Sequence, residues 1–339
     1  MRAFPKGQRS GNSFREEWGP PGFFFRKEIL ADQKAGQDRR EREMQRVLVV
    51  GAGFMGSGIA QVSAQAGYRV HLMDIQATVT DRALKEIRWS VEKLAAKDLL
   101  KEPSAKILER ISPERDLSRA SEVDWVIEAA TEAEELKRSL FQELDRICRP
   151  EIPLATNTSS IPITRLAKNT RRPERMLGLH FFGPVPLMGL VEVVKGEKTS
   201  AEIFERGAAF VQSLGKTPVR VQRDIPGFVM NRIFSAALRE AVDLVDQGIA
   251  TPEDVDLGMR LGYGWNVGPF EIADNAGLDT CARVGQSMKA LGAGHLAPSS
   301  DLMERMVAEG RLGRKTGKGF YTYSSEGKRL RGEDKKNSR

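Results

Sequence analysis

The apolar positions of the chain form two patterns, one before and one after about residue 225. In the first part, short apolar runs of strand length alternate with segments of helical spacing. After Pro226 the apolar residues recur with helical spacing, and no further strand pattern alternates with them. This order predicts a doubly wound, mostly parallel α/β sheet in residues 45–224, followed by a mostly helical domain in residues 225–324.

A glycine-rich motif lies between the first predicted strand, RVLVV, and the first predicted helix, which ends at Gly67. The sequence GAGFMG has the GxGxxG spacing, and Asp74 ends the next strand eighteen residues after the third glycine. In this context the motif predicts a Rossmann-type dinucleotide site, whereas a glycine-rich turn without a ligand is the alternative. The acidic residue favours NAD over NADP, because it accepts from a ribose hydroxyl and repels a 2′-phosphate. The predicted cofactor-binding residues here are Gly51, Gly53, Phe54, Met55, Gly56 and Asp74.

Polar residues cluster where the predicted parallel strands end. DWVIEAATE (124–132) and PLATNTSS (153–160) both run from apolar into polar residues, and ligands bind beyond the carboxyl ends of strands in open α/β sheets. Each residue there is equally compatible with a cap or a turn.

A predicted helix over about 78–100 carries Ser90, Lys93 and Lys97 on one face, and a solvated face is the ordinary interpretation.

The stretch LHFFGPVPLMGLVEVV places His180 and Glu192 in two apolar runs separated by GPVP. Two prolines without ladder donors predict a loop between two short strands. If these strands pair, an imidazole and a carboxylate come close together, which is an arrangement suited to acid–base chemistry.

Charge and cysteine content change this picture little. The net charge is +7, but residues 1–43 hold ten Lys/Arg against seven Asp/Glu, and residues 324–339 hold six against three. The basic balance therefore lies in the two ends, which we predict to be disordered (1–44 and 325–339), and no nucleic-acid surface is expected. Apolar runs too short for a bilayer, two isolated cysteines and the lack of a signal-peptide pattern predict a cytoplasmic protein without membrane or metal partners.

Several motifs together resemble the L-3-hydroxyacyl-CoA dehydrogenase family, in the compact form close to bacterial 3-hydroxybutyryl-CoA dehydrogenases. The resemblance covers about residues 45–324, and the motifs occur in the family's order and spacing. They are GAGFMGSGIA, VIEAATE with Lys137, NTSSIPIT, GLHFFGPVP, LVEVV, PGFVMNR, GPFEIAD and GRKTGKGFY.

The resemblance implies NAD-dependent, reversible oxidation of a short-chain (S)-3-hydroxyacyl-CoA, in fatty-acid β-oxidation or butanoate metabolism, by a homodimer. It implies that His180 is the acid–base and that Glu192 orients and polarises it, while Ser159 and Asn231 bind the reacting oxygen region or the thioester. Ser159 also stands among the cofactor and substrate contacts. By position, Glu132, Lys137 and Lys315 correspond to cofactor contacts, and Ser90 and Lys97 correspond to coenzyme A contacts. For Ser90 and Lys97 a solvated helix face and a ligand contact are therefore equal alternatives.

Two positions depart from the family pattern. Gly183 stands where asparagine is usual, and Gly189 stands where lysine is frequent, which predicts a barer and more flexible loop between His180 and Glu192 and puts the substrate range in doubt. Two other functions stay open: a dehydrogenase of a free hydroxy acid such as gulonate, which would not need Ser90 and Lys97, and a non-catalytic NAD-binding relative.

Overall fold

The computed structural model describes residues 45–297 and 299–330. The disorder predicted for residues 1–44 falls outside these ranges, as does that for residues 331–339. Residues 325–330 differ from the predicted disordered tail. They fold back in a turn, so that Tyr323 bridges Arg329, whose guanidinium lies 3.4 Å from the Tyr321 ring centroid and binds Glu271. The Arg329 side chain anchors the segment on the Tyr321 ring and on Glu271, which explains why it is ordered although its composition is charged.

One eight-stranded sheet carries the first domain, with strand order β3-β2-β1-β4-β5-β6-β7-β8. All neighbours are parallel except β6 and β7, which are antiparallel. This confirms the predicted doubly wound, mostly parallel sheet. The strands are β1 (Arg46–Val50), β2 (Arg69–Met73), β3 (Ile111–Glu114), β4 (Trp125–Glu128), β5 (Leu154–Thr156), β6 (Met176–Phe181), β7 (Leu190–Val194) and β8 (Thr217–Val221).

Helices cover both faces of the sheet and form a separate apolar core with each. Ile59, Ile87 and Phe210 pack on one face, and Phe141 and Leu166 pack on the other. Two faces buried under helices explain why the central strands have nearly continuous apolar runs. The helices are α1 (Phe54–Gln65), α2 (Ala77–Ala95), α3 (Ser104–Glu109), α4 (Glu134–Ile147), α5 (Ile163–Ala167) and α6 (Ala201–Ser213), with short 3₁₀ turns at Ser118–Ser121 and Pro173–Arg175.

Helix α2 ends earlier than predicted. Asp98 adopts a left-handed conformation with φ 54°, and the N–H groups of Asp98 and Leu99 bond back to the carbonyls of Ala95 and Leu94. This is a Schellman-type ending, which stops the helix and places Lys97 at its C-terminal boundary rather than on a continued helical face.

The second domain is helical, as predicted. The hydroxyl of Thr251 accepts the N–H of Asp254 at 3.1 Å, with Pro252 at the first helical position, so Thr251 caps the helix that follows it. A third apolar cluster holds this domain together and includes Val242, Phe270 and Met306. The helices are α7 (Met230–Asp246), α8 (Pro252–Tyr263), α9 (Pro269–Ala276), α10 (Leu278–Ala290) and α11 (Leu302–Ala308), with 3₁₀ turns at Gly294–Leu296 and Arg314–Thr316.

Candidate active site

The glycine-rich loop joins β1 to α1 and is shaped by close backbone contacts. Gly51 has φ 100°, and a Cβ atom there would lie 2.6 Å from the carbonyl oxygen of Ala129 at the end of β4. A Cβ atom on Gly56 would lie 1.8 Å from the Gly51 oxygen. Only glycine fits at these two positions, because the turn must stay tight and α1 must pack directly on it.

The loop leaves room for a dinucleotide. A Cβ atom at Gly53 would have no neighbour within 4 Å, so this glycine faces open space beside the first turn of α1. The N–H groups of that turn have no intrahelical partners and favour a phosphate. The Asp74 carboxylate holds the loop through the Ala52 N–H (3.0 Å) and also accepts the Gln76 N–H (3.0 Å), and each oxygen keeps a lone pair for a ribose hydroxyl. These residues fit NAD.

His180 and Glu192 are directly opposite each other on the antiparallel strands β6 and β7. His180 Nδ1 lies 2.7 Å from Glu192 Oε2, and both side chains are buried, with exposed fractions of 5% and 0%. Glu192 Oε1 accepts the N–H groups of Val229 and Met230, each at 2.9 Å. Since the carboxylate acts only as an acceptor, His180 donates from Nδ1, and Nε2 is left to exchange a proton with a ligand.

The link between the two domains also shapes this pair. Gly227 and Phe228 both have positive φ, 75° and 47°, and turn the chain so that the following N–H groups meet Glu192 at the start of α7. The Phe228 ring is buried and lies 5.5 Å from the His180 ring, and the Phe182 ring lies 4.6 Å away on another side. Two aromatic rings and a fixed carboxylate hold the imidazole in one orientation.

A buried ion pair lies beneath the carboxyl ends of β4 and β5. Lys137 Nζ contacts Glu128 Oε1 at 2.5 Å, the Ala130 carbonyl at 3.1 Å and Glu132 Oε2 at 3.3 Å. Glu128 is fully buried, and its Oε2 accepts the Thr156 hydroxyl at 2.6 Å. Lys137 is only 1% exposed, and its ammonium is enclosed by these oxygens. It therefore fixes the positions of Glu128 and Glu132.

Glu132 in turn fixes the loop after β5. Its Oε1 accepts the hydroxyls of Thr158 (2.5 Å) and Ser160 (3.0 Å) and the N–H of Ser159 (3.1 Å). Burial opposes ionisation of this carboxyl, but the Lys137 ammonium and these hydrogen bonds outweigh it, so the pKa of Glu132 lies below its usual range. Among the described residues the Ser159 hydroxyl has no protein partner, which leaves it available to a ligand.

The loop between His180 and Glu192 is held in place by a residue that the sequence did not indicate. Lys216 Nζ donates to the carbonyls of Val185 (2.7 Å) and Met188 (2.6 Å), and burial lowers the pKa of this lysine. Val185 is buried against the sheet core. The loop has glycine at 183 and 189, yet it is tied to the fold, which differs from the bare, flexible loop that the sequence predicts.

The remaining predicted residues lie at three places. Asn231 lies in the first turn of α7, directly after Met230, whose N–H bonds Glu192. The Lys315 ammonium binds Asp279 at 2.5 Å in the helical domain, and its contacts among the described residues include no member of the glycine loop. Ser90 is half-buried and Lys97 is exposed, both on the α2 segment.

Sequence reasoning missed the structural role of several residues in this site. Asn157 Oδ1 accepts the Phe181 N–H at 2.9 Å and so joins the loop after β5 to the strand of His180. Its place in NTSS at a strand end was the only signal. Lys216 and Phe228 had none, because their partners lie 28 or more residues away in the chain.

Comparisons with known proteins agree with this geometry. Residues 46–225 match the family model for the 3-hydroxyacyl-CoA dehydrogenase NAD-binding domain, and residues 227–323 match the model for its C-terminal domain. NAD is therefore the cofactor of this site.

Similar proteins share nearly their whole length with the chain. A probable 3-hydroxybutyryl-CoA dehydrogenase of Deinococcus radiodurans is 44% identical over 81% of this chain and 99% of its own, and one of Bacillus subtilis is 41% identical over 84% and 99%. The crystal structure of (S)-3-hydroxybutyryl-CoA dehydrogenase from Ralstonia eutropha is 40% identical, covers 83% of this chain and 100% of its own, and has a TM-score of 0.78. The chain belongs to the 3-hydroxyacyl-CoA dehydrogenase family.

Proposed function

We propose that this protein is an NAD-dependent dehydrogenase of short-chain (S)-3-hydroxyacyl-CoA, with 3-hydroxybutyryl-CoA as its representative substrate. The observation that supports this most directly is the buried His180–Glu192 pair at 2.7 Å beside a cradle that fits NAD. The relatives named above act, by their names, on 3-hydroxybutyryl-CoA.

The chain's own residues supply the proton chemistry. His180 Nε2 takes the proton of the substrate's 3-hydroxyl as the hydrogen on C3 leaves as hydride, and it returns that proton in the reductive direction. Glu192 stabilises the imidazolium that forms. The Ser159 hydroxyl and the Asn231 amide orient the oxygen or the thioester. NAD, when bound, supplies the hydride acceptor.

The substrate assignment is tested by NADH oxidation with acetoacetyl-CoA, free acetoacetate and 3-oxooctanoyl-CoA. We expect kcat/KM to be highest for acetoacetyl-CoA and lower by at least about 10²-fold for the free acid, because the acid cannot use contacts remote from the reacting carbon. Equal kcat/KM for the free acid would favour the hydroxy-acid dehydrogenase, and no turnover of any of the three would favour the non-catalytic relative.

Ser90 and Lys97 are the residues that we propose for the coenzyme A moiety. Ser90 lies near the end of α2 and Lys97 lies just beyond it, where its exposed ammonium suits a phosphate. We also propose Lys315 as a cofactor contact. Its ammonium binds Asp279 in this structure.

Cofactor choice provides a second test. Replacing Asp74 by serine should raise the NADPH/NADH ratio of kcat/KM by about tenfold, which corresponds to about 1.4 kcal/mol, because the carboxylate no longer repels a 2′-phosphate. Steady-state rates with both cofactors measure this ratio. An unchanged ratio, or a wild type that prefers NADPH, would contradict the role of Asp74.

The exposed apolar surface of the helical domain supports a homodimer. Leu261 and Tyr263 at the end of α8 are each 79% exposed, and Ile233 on α7 is 56% exposed. Met303 and Met306 on α11 are buried within the domain, so they do not add to this exposed surface. Large apolar side chains left this exposed are typical of an interface, and a two-fold contact is the commonest closure.

Sedimentation velocity at micromolar protein should therefore show a dimer. Leu261→Asp should shift the distribution to monomer, whereas Leu136→Asp, at a residue 50% exposed on the NAD-binding domain, should not. A fully active wild-type monomer would rule out the proposed dimer.

We propose a cytoplasmic location, on the basis of the two free cysteines, Cys148 and Cys281.

A further inference from the structure

The side-chain space of Gly183 is occupied by another residue. A Cβ atom on Gly183 would lie 2.6 Å from Phe54 Cε1 and 3.2 Å from Phe54 Cζ. Gly183 is absent from the glycines with positive φ, so no left-handed backbone conformation requires glycine there. The ring of Phe54 therefore occupies the space that a side chain at position 183 would take.

Phe54 connects the two loops on which the reaction depends. Its backbone lies in the first turn of α1, next to the open space at Gly53, whereas its ring reaches the segment three residues beyond His180. The same helix approaches that segment again at Gly58, where a Cβ atom would lie 2.8 Å from Val185 Cβ. The backbone and the ring of Phe54 thus face different parts of the site.

The ring is also unusually exposed. Phe54 is 65% exposed, although it is a large apolar side chain beside a buried acid–base pair. Such a ring, without cover from the protein, is available to an apolar part of a ligand. The substrate offers one such part close to the carbon that His180 serves, namely the acyl chain beyond C3.

We propose that Phe54 and Gly183 together form a specificity element, in which the Phe54 ring replaces the side chain of residue 183 and forms an apolar wall against the acyl chain. The proposal rests on the proposed function. Here an aromatic ring stands where the side chain of residue 183 would stand. The wall limits the length of chain that the site accepts.

The test compares acetoacetyl-CoA with 3-oxooctanoyl-CoA as substrates for NADH oxidation. Phe54→Ala should raise the C8/C4 ratio of kcat/KM by about tenfold, within the range that a hydrophobic pocket achieves per methylene group. Gly183→Ala should shift the ratio in the same direction, because the new methyl group displaces the exposed ring. The C8/C4 ratio of the double variant should be no higher than that of the single variants, since both changes remove the same contact.

The same loop offers a matched control at Gly189. A Cβ atom there meets nothing within 4 Å, and its φ is not positive, so Gly189→Ala should leave the ratio unchanged. An unchanged ratio in Phe54→Ala, or a rise in KM for NADH without a change in the ratio, would overturn the specificity role. If the wild type turns over neither thioester, the proposed function fails instead, so the two failures are distinguishable.

Discussion

Replacement of His180 by glutamine should lower kcat by about 10²–10⁴-fold in both directions, while NADH still binds. The amide can still donate to Glu192 Oε2, which His180 Nδ1 approaches at 2.7 Å, so the packing is preserved. What is lost is the ring nitrogen that carries the proton. Steady-state kinetics give kcat, and NADH fluorescence titration shows whether the cofactor site survives.

A second histidine provides the control. His71 Nδ1 lies 2.7 Å from Glu114 Oε1, which is a pair of the same chemistry on β2 and β3. His71→Gln should keep near-native turnover. Near-native turnover in His180→Gln would remove that residue from the mechanism.

Glu192→Gln should act differently from His180→Gln. The imidazolium loses its anionic partner, so reductive activity should be lost at a lower pH than in the wild type. The double variant should be little worse than His180→Gln, because the pair acts as a unit. If neither the rate nor the pH profile of Glu192→Gln changes, the tuning role assigned to Glu192 is wrong.

Replacement of Lys137 by methionine should destabilise the protein by about 3–5 kcal/mol, because it leaves the Glu128 carboxylate buried without its cation. Glu128 is 0% exposed, and Lys137 Nζ lies 2.5 Å from its Oε1. The free energy of unfolding in urea measures the effect. The Glu128→Gln/Lys137→Met double variant should recover a large part of the loss, because no uncompensated charge remains.

A neighbouring residue serves as the matched control for this prediction. Arg138 follows Lys137 in α4 and pairs with Glu135, which is 84% exposed, so Arg138→Met should change stability little. If Lys137→Met lowers the free energy of unfolding no more than Arg138→Met does, the buried Glu128 carboxylate does not need Lys137 as its cation.

Strand prediction from the sequence succeeded in the middle of the sheet and failed at its edges. The central strands have long apolar runs because helices cover both faces. The strands β3 and β8 carry Pro113 and Pro218 and were not predicted. Both lie at the edges of the sheet, where a strand tolerates proline because one side needs no ladder donor. The edge position is a property of the fold and is not visible in a short segment.

The sequence by itself determined the features that depend on local spacing. These are the glycine-rich loop with Asp74, the helix cap at Thr251, and the order of strand, loop and strand that carries His180 and Glu192. Each follows from interactions between residues close together in the chain, where backbone sterics and periodicity leave few alternatives.

Only the tertiary structure decided which distant groups meet. It placed the Val229 and Met230 N–H groups on Glu192, Lys216 under the loop between His180 and Glu192, and the Phe54 ring in the space of Gly183. These contacts join segments 28 to 129 residues apart. Their formation depends on the packing of whole helices and strands against each other, and burial then makes each polar contact necessary, because an unpaired group in the interior costs free energy.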